Sequence, residues 1–149
     1  MSKLFKVMKG EPVELQHLRY PLWVTPKING VRGYVRDNKV LSTANKLLPN
    51  VNLQMEFSGL HHRDGEFVVG DPRDSRFSLN RTTSVVMSDD KPILDLKLYA
   101  FDHVEFPTKP YSERIDLLNK AGKHSRLVVL KNKSIRCETE LLDTEANFV

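Results

Sequence analysis

Pro21 and Pro26 bracket the run Leu22-Trp23-Val24-Thr25, and Asn29-Gly30 follows closely. Proline lacks the N–H that a helix interior needs and clashes with the preceding turn, so residues 20–27 are extended. Val31 to Arg36 then alternates in strand fashion, Asp37-Asn38 supplies a hairpin turn, and Lys39 to Thr43 returns as a second strand. The ordered part of the chain therefore begins as a meander of short strands, behind a polar and basic lead-in over residues 1–19 with a short helix near Val13 to Leu18.

Downstream, strands and helices follow in turn. Leu47 to Asn50 reads as a loop, and Val51 to Leu60 as a short helix. Asp64 to Val69 is a strand, and the Gly, Pro, Asp and Arg content of 70–79 marks a loop. Asn80 caps a helix to Ser88, and Leu94 to Val104 is a strand. In that strand, alternation sets Leu96, Leu98, Ala100 and Asp102 on one face and Lys97, Tyr99, Phe101 and His103 on the other. Ser112 caps a helix through Lys120, Arg126 to Leu130 is a strand, and Glu138 to Ala146 is helical. The order predicts an α+β fold, antiparallel sheets with flanking short helices, in a single domain over 1–149. Leu141, Leu142, Phe148 and Val149 form a terminal apolar face that needs cover.

With 149 residues the chain is long enough for a true core. No apolar run is long enough to span a bilayer, and Met1 to Lys6 lacks the pattern of a signal peptide, so no membrane partner is expected. Cys137 is the sole cysteine, which permits no intrachain disulfide and fits a reducing, cytoplasmic compartment. The net charge of +4 allows a polyanionic partner without demanding one. His17, His103 and His124 are too dispersed for a ligand set, so no metal site is assigned.

Three segments bear on chemistry. Lys27 lies in Lys27-Ile28-Asn29-Gly30-Val31-Arg32, between a strand and an Asn-Gly turn. Partial desolvation or a neighbouring cation lowers a lysine's pKa, and the free amine is then a nucleophile. Asp64-Gly65-Glu66 opens a strand and supplies a carboxylate suited to accepting two hydroxyl hydrogen bonds. Leu98-Tyr99-Ala100-Phe101-Asp102-His103 carries an aromatic on a strand, a flat surface fit for stacking. Taken singly, each segment is more often an ordinary turn or core strand.

In this order the three segments, with Glu66 39 residues after Lys27 and Phe101 35 after Glu66, resemble the ATP-dependent DNA ligases, the small phage enzymes in particular. Ser42, Leu48-Pro49-Asn50, Gly70-Asp71-Pro72 and Thr82 to Ser88 add to the likeness, which runs from about Leu18 to Glu140. The resemblance implies the N-terminal part of an adenylation domain, partly ATP-grasp-like, with no OB-fold domain. By the same resemblance Lys27 attacks the α-phosphate of ATP and takes AMP as a phosphoramidate, with Mg²⁺ as cofactor. Gly30 brings the backbone close to the nucleotide, Arg32 and Glu66 hold the ribose, Phe101 stacks on adenine, and Thr25 and Pro26 line the adenine edge. Ser42 and Lys46 would contact nucleic acid. The implied role is sealing nicked double-stranded DNA in replication, repair and recombination, in the cytoplasm of a phage-infected bacterium.

Two departures shape the alternatives. Asn29 stands where DNA ligases more usually have aspartate, as in RNA ligases, and Thr43 stands where an arginine usually grips the phosphate backbone. The metal-binding glutamate and the two lysines that neutralise the α-phosphate in the family are not matched before Val149. The expectation is therefore a nucleotidyltransferase incomplete alone: half of a split ligase completed by a second polypeptide, a non-catalytic ligase-derived binding module, or an RNA ligase.

Overall fold

A computed structural model describes residues 5–147, without the side chains of 75–77 and 145–147; Phe148 and Val149 of the expected apolar face lie outside it. The chain divides into two compact units, one running up to Val7 and then over Ile28–Val129, the other over Met8–Lys27 and from Leu130 onward.

In the larger unit, β2 (Val31–Arg36) and β3 (Lys39–Leu41) form the expected hairpin, with Asp37 and Asn38 both at positive φ as a tight two-residue connection requires. With β4 (Arg63–Val69), β5 (Leu96–His103) and β6 (Leu127–Val129) they make a five-stranded sheet in the order β3-β2-β4-β5-β6. The sheet is not wholly antiparallel, because β6 runs parallel to β5. The reason is connectivity: α3 (Tyr111–Lys120) carries the chain from the end of β5 back toward its start, so the next strand enters in the same direction.

Register divides the sheet's faces. Val31 lies opposite Phe67, Gly33 opposite Gly65, and Phe67 opposite Leu98. This face joins Val35, Val40, Phe67, Leu96 and Leu98 to Leu53 and Phe57 of α1 (Val51–Phe57) and to Val86 of α2 (Ser75–Val86) in one buried cluster. The Phe57 and Phe67 rings meet edge to face, 5.0 Å apart at 81°. Ala100 packs on Ile115 and Leu118 of α3. On the other face, Tyr34 packs with Val7, Val104 and the half-buried Phe5.

Helix starts differ from the sequence reading for identifiable reasons. α2 begins at Ser75, and Asn80 is an exposed residue inside it rather than its cap. Its inward positions include Ser78 and Thr82, both fully buried, followed by Val86, so a polar stripe hides the usual apolar period. Thr82 Oγ1 donates to the Ser78 carbonyl at 2.6 Å and accepts from the Val69 N–H at 2.9 Å, which pins the helix to the end of β4. α3 starts at Tyr111 behind Pro110, whose fixed φ suits a helix entrance, so Ser112 lies inside the helix and not at its cap.

The smaller unit contains a 3-10 turn at Leu15–His17, β1 (Leu22–Val24), β7 (Lys133–Ile135) and α4 (Glu138–Asn147). Leu22, Trp23 and Val24 pair antiparallel with Ile135, Ser134 and Lys133. The sequence does not announce β7, since Lys-Ser-Ile carries one apolar residue, Ile135, and that residue is fully buried. In α4, Leu141 is half-buried and Leu142 is exposed.

One buried side chain ties α1 to α2. Asn50, with no exposed surface, caps α1 by accepting from the Asn52 and Leu53 N–H groups at 2.9 and 3.1 Å. Its Nδ2 donates to the carbonyls of Val85 and Lys91, each at 2.9 Å. Replacement by Ala removes a cap worth about 1 kcal/mol and leaves the buried Leu53 N–H without this acceptor, at about 1 kcal/mol or more. Asn50→Ala is expected to lose roughly 2–4 kcal/mol in urea unfolding. Asn50→Asp, which keeps the acceptors but cannot donate, is expected to recover only part of that loss.

Candidate nucleotide site

Arg32 on β2 and Asp64 on β4 form the centre of the larger unit's polar sheet face. Arg32 Nε and Nη2 donate to Asp64 Oδ1 and Oδ2 at 2.8 and 2.7 Å, a bidentate pair. Asp64 has no exposed surface. Burial pushes the Asp64 carboxyl above its ordinary range, and the Arg32 bonds only partly pull it back. Burial is the largest single influence and opposes the Arg32 charge, but the bonds to Asp64 together with the negative charges of Asp64, Glu66 and Asp102 outweigh it and raise the guanidinium's pKa. The two short, parallel bonds are those of a charged pair, so Asp64 is read as ionised at neutral pH.

Glu66 lies directly opposite Arg32 on β2 and opposite Tyr99 on β5, so the three share this face. Glu66 is half-buried. Between β4 and β5 the register slips: Asp64 faces Asp102 while Gly65 faces Ala100, which leaves Phe101 as the extra residue of a bulge. Gly65 permits this close approach, since a Cβ there would run into the Tyr99 carbonyl and Ala100 Cα. The Arg32 guanidinium lies 4.7 Å from the centre of the half-buried Phe101 ring, a cation–π contact.

The bulge also corrects the strand-face assignment. Strict alternation puts Asp102 with Ala100; the extra residue turns Asp102 to the face of Asp64 and Arg32. Asp102 is fully buried; its Oδ1 accepts from the His103 N–H at 2.8 Å and lies 3.4 Å from Arg114 Nε of α3. Its Oδ2 is buried without a hydrogen-bond partner. Burial is the main cause that lifts the Asp102 carboxyl to about 6, against the pull of Arg114.

The structure thus groups Arg32, Glu66 and Phe101 of the expected site, and adds Asp64, Asp102 and Arg114. Asp64 had a sequence signal, a carboxylate two positions before Glu66 on one strand. Asp102 had none, because a bulge cannot be read from alternation. Thr25, Pro26 and Lys27 belong to the smaller unit, in the segment after β1. Lys27 is exposed, not partly desolvated. Asn29-Gly30 is a bend rather than a hydrogen-bonded turn, and Gly30 is needed because a Cβ there would meet the Phe67 carbonyl. Ser42 and Lys46 sit in the loop after β3: Ser42 Oγ accepts from the Ala44 and Lys46 N–H groups, both at 3.3 Å, and Lys46 is exposed. Among the described residues no three His, Cys, Asp or Glu side chains converge as a metal site, and none is long and apolar enough as a helix to cross a membrane.

The Asp102 titration has a defined sign. Its folded pKa of about 6 exceeds the ordinary 3.8, so its contribution to stability is complete below about 3.8 and is lost as pH rises through about 6. Asp102→Asn keeps the acceptor for the His103 N–H and removes the titration. The stability advantage of the variant over the wild type is expected to grow from pH 4 to pH 6 and then level off, in urea unfolding followed across that range.

No family model and no curated protein matches the chain. Among solved structures, the chlorella virus DNA ligase-adenylate is similar in two crystal structures at 26% identity and TM-score 0.77, which cover 93% and 91% of this chain. A Lig E DNA ligase, from work on DNA binding with a minimal scaffold, matches at 19% identity and TM-score 0.64 over 84% of the chain, a likeness of fold. The chain spans about half the length of these proteins, at 54%, 51% and 49%. Over nearly its whole length, this chain has the fold of the adenylation domain of ATP-dependent DNA ligases.

Proposed function

We propose that this chain is a DNA ligase-like, ATP-dependent nucleotidyltransferase, a single partly ATP-grasp-like adenylation-domain segment that becomes covalently adenylated on Lys27. The observation that carries the reading is the convergence of a cation, a carboxylate and an aromatic ring, Arg32, Glu66 and Phe101, on one sheet face. That donor set fits a nucleoside: Glu66 accepts from ribose hydroxyls, Arg32 donates toward the sugar, and the ring stacks on the base. Arg32 already covers one face of Phe101, so a purine would take the other face. Thr25 and Pro26 line the base edge in this reading.

In the step itself the Lys27 amine, as the free base, attacks the α-phosphorus. An N–P bond forms, the bond from the α-phosphorus to the bridging oxygen breaks, pyrophosphate leaves with that electron pair, and the amine gives up a proton. Such transfer depends on positioning and charge neutralisation more than on covalent chemistry by the protein. Mg²⁺ held by the nucleotide phosphates would supply charge neutralisation at the α-phosphate.

The downstream substrate in this reading is nicked duplex DNA, met in part through Ser42 and Lys46, in replication, repair or recombination in a phage-infected cell's cytoplasm. The chlorella virus protein is a DNA ligase, and that is the support for DNA. Asn29 keeps RNA ends as the second substrate to be assayed, and a C-terminal partner polypeptide as an addition to be tried.

Incubation with Mg²⁺ and ATP labelled at the α-phosphate is expected to leave a labelled band on a denaturing gel, absent in Lys27→Ala. A folded wild-type protein that takes no label, alone or with a ligase C-terminal half added, would leave a nucleotide- or DNA-binding module instead.

A further inference from the structure

Phe101 is held from behind by one helix. As the extra residue of the bulge it falls outside the pairing between β4 and β5. Its carbonyl instead accepts from the Tyr111 hydroxyl at 2.7 Å. The next residue, Asp102, lies 3.4 Å from Arg114 Nε, and the preceding one, Ala100, is buried against Ile115 and Leu118. Tyr111, Arg114, Ile115 and Leu118 recur at three- and four-residue spacing, so they share one face of α3. The Arg114 guanidinium also lies 5.3 Å from the centre of the Tyr111 ring, and its Nη1 donates to the Pro107 carbonyl at 3.3 Å. Three consecutive residues of the bulge are thus each engaged by α3: one by packing, one by a hydrogen bond to backbone, one by an ion pair.

From this geometry we propose that Tyr111 and Arg114 are positioning residues that set the Phe101 ring as a purine platform, and so govern affinity for the base of the nucleotide. The proposal rests on the reading that Phe101 receives the base. A bulge unsupported by its ladder bends easily, and its side chain follows the backbone. A helix anchored at two polar points removes that freedom before ligand arrives, which lowers the ordering cost of binding. Neither residue touches the nucleotide in this scheme, and both act through Phe101.

The test is calorimetric titration of the full chain with AMP, which has no pyrophosphate to lose, and with ribose 5-phosphate, which has the same sugar and phosphate without the base. Tyr111→Phe deletes one oxygen and keeps the ring. Loss of one hydrogen bond predicts about fivefold weaker AMP binding, with ribose 5-phosphate affinity unchanged. Arg114→Gln is expected to act in the same direction, with partial recovery in Arg114→Lys, which restores a cation for Asp102. A merely structural role would weaken both ligands together, and that result would overturn the proposal. Unchanged AMP affinity in a folded Tyr111→Phe would overturn it as well, while leaving the nucleotidyltransferase reading intact. Wild-type protein that binds AMP no better than ribose 5-phosphate would sink the base-platform reading itself, and the proposal with it.

Discussion

A carboxylate with no exposed surface is tolerated only beside a cation, and Asp64 meets that demand through Arg32 on the neighbouring strand. The pair fixes more than two side chains. Arg32 comes from β2 and Asp64 from β4, so their bidentate bond is compatible with one register of the central strands. A slip of one residue would turn Arg32 toward the apolar face, where Phe67 and Leu98 pack. The charged pair adds little net stability, since desolvation offsets most of the attraction, but it specifies which face is polar.

From that register the remainder of the site follows. Glu66 is carried opposite Arg32, and the bulge after Ala100 brings Phe101 under the guanidinium. Gly65 admits the bulge because it has no Cβ to strike the Tyr99 carbonyl. The cost of breaking the ladder at Phe101 is offset by α3, whose Tyr111 takes the carbonyl that the ladder leaves unused. The polar face is thus held at two points: Arg32 and Asp64 are paired across strands, and the carbonyl of the irregular residue, Phe101, is bonded to α3.

Much of this was legible beforehand where the signal is local. Asp37-Asn38 between alternating runs reads as a hairpin because two-residue connections need positive φ, which those residues tolerate. The order of Lys27, Glu66 and Phe101 pointed to a DNA ligase-like fold, and the likeness of fold to DNA ligases agrees with it. Where burial runs through polar atoms, the reading failed. α2 begins five residues ahead of the expected start because Ser78 and Thr82 are its inward residues, the Thr82 hydroxyl being satisfied by the Ser78 carbonyl and by the Val69 N–H of β4. Asn50 looked like loop punctuation and is a cap serving four backbone groups. β7 is a strand because β1 is there to pair with it, not because Lys-Ser-Ile favours one.

By itself the sequence determined the strand and helix order over most of the chain and singled out a guanidinium, a carboxylate and an aromatic ring as candidate groups of the larger unit, Arg32, Glu66 and Phe101. Those are properties of short stretches, set by proline and glycine sterics and by alternation. Only the tertiary structure decided which of these groups share a surface. Pairing register put Arg32 across from Glu66, and one unpaired residue moved Asp102 from the apolar face to the charged one. Register and bulges arise from interactions between segments distant in sequence, so the pattern within any single segment does not encode them.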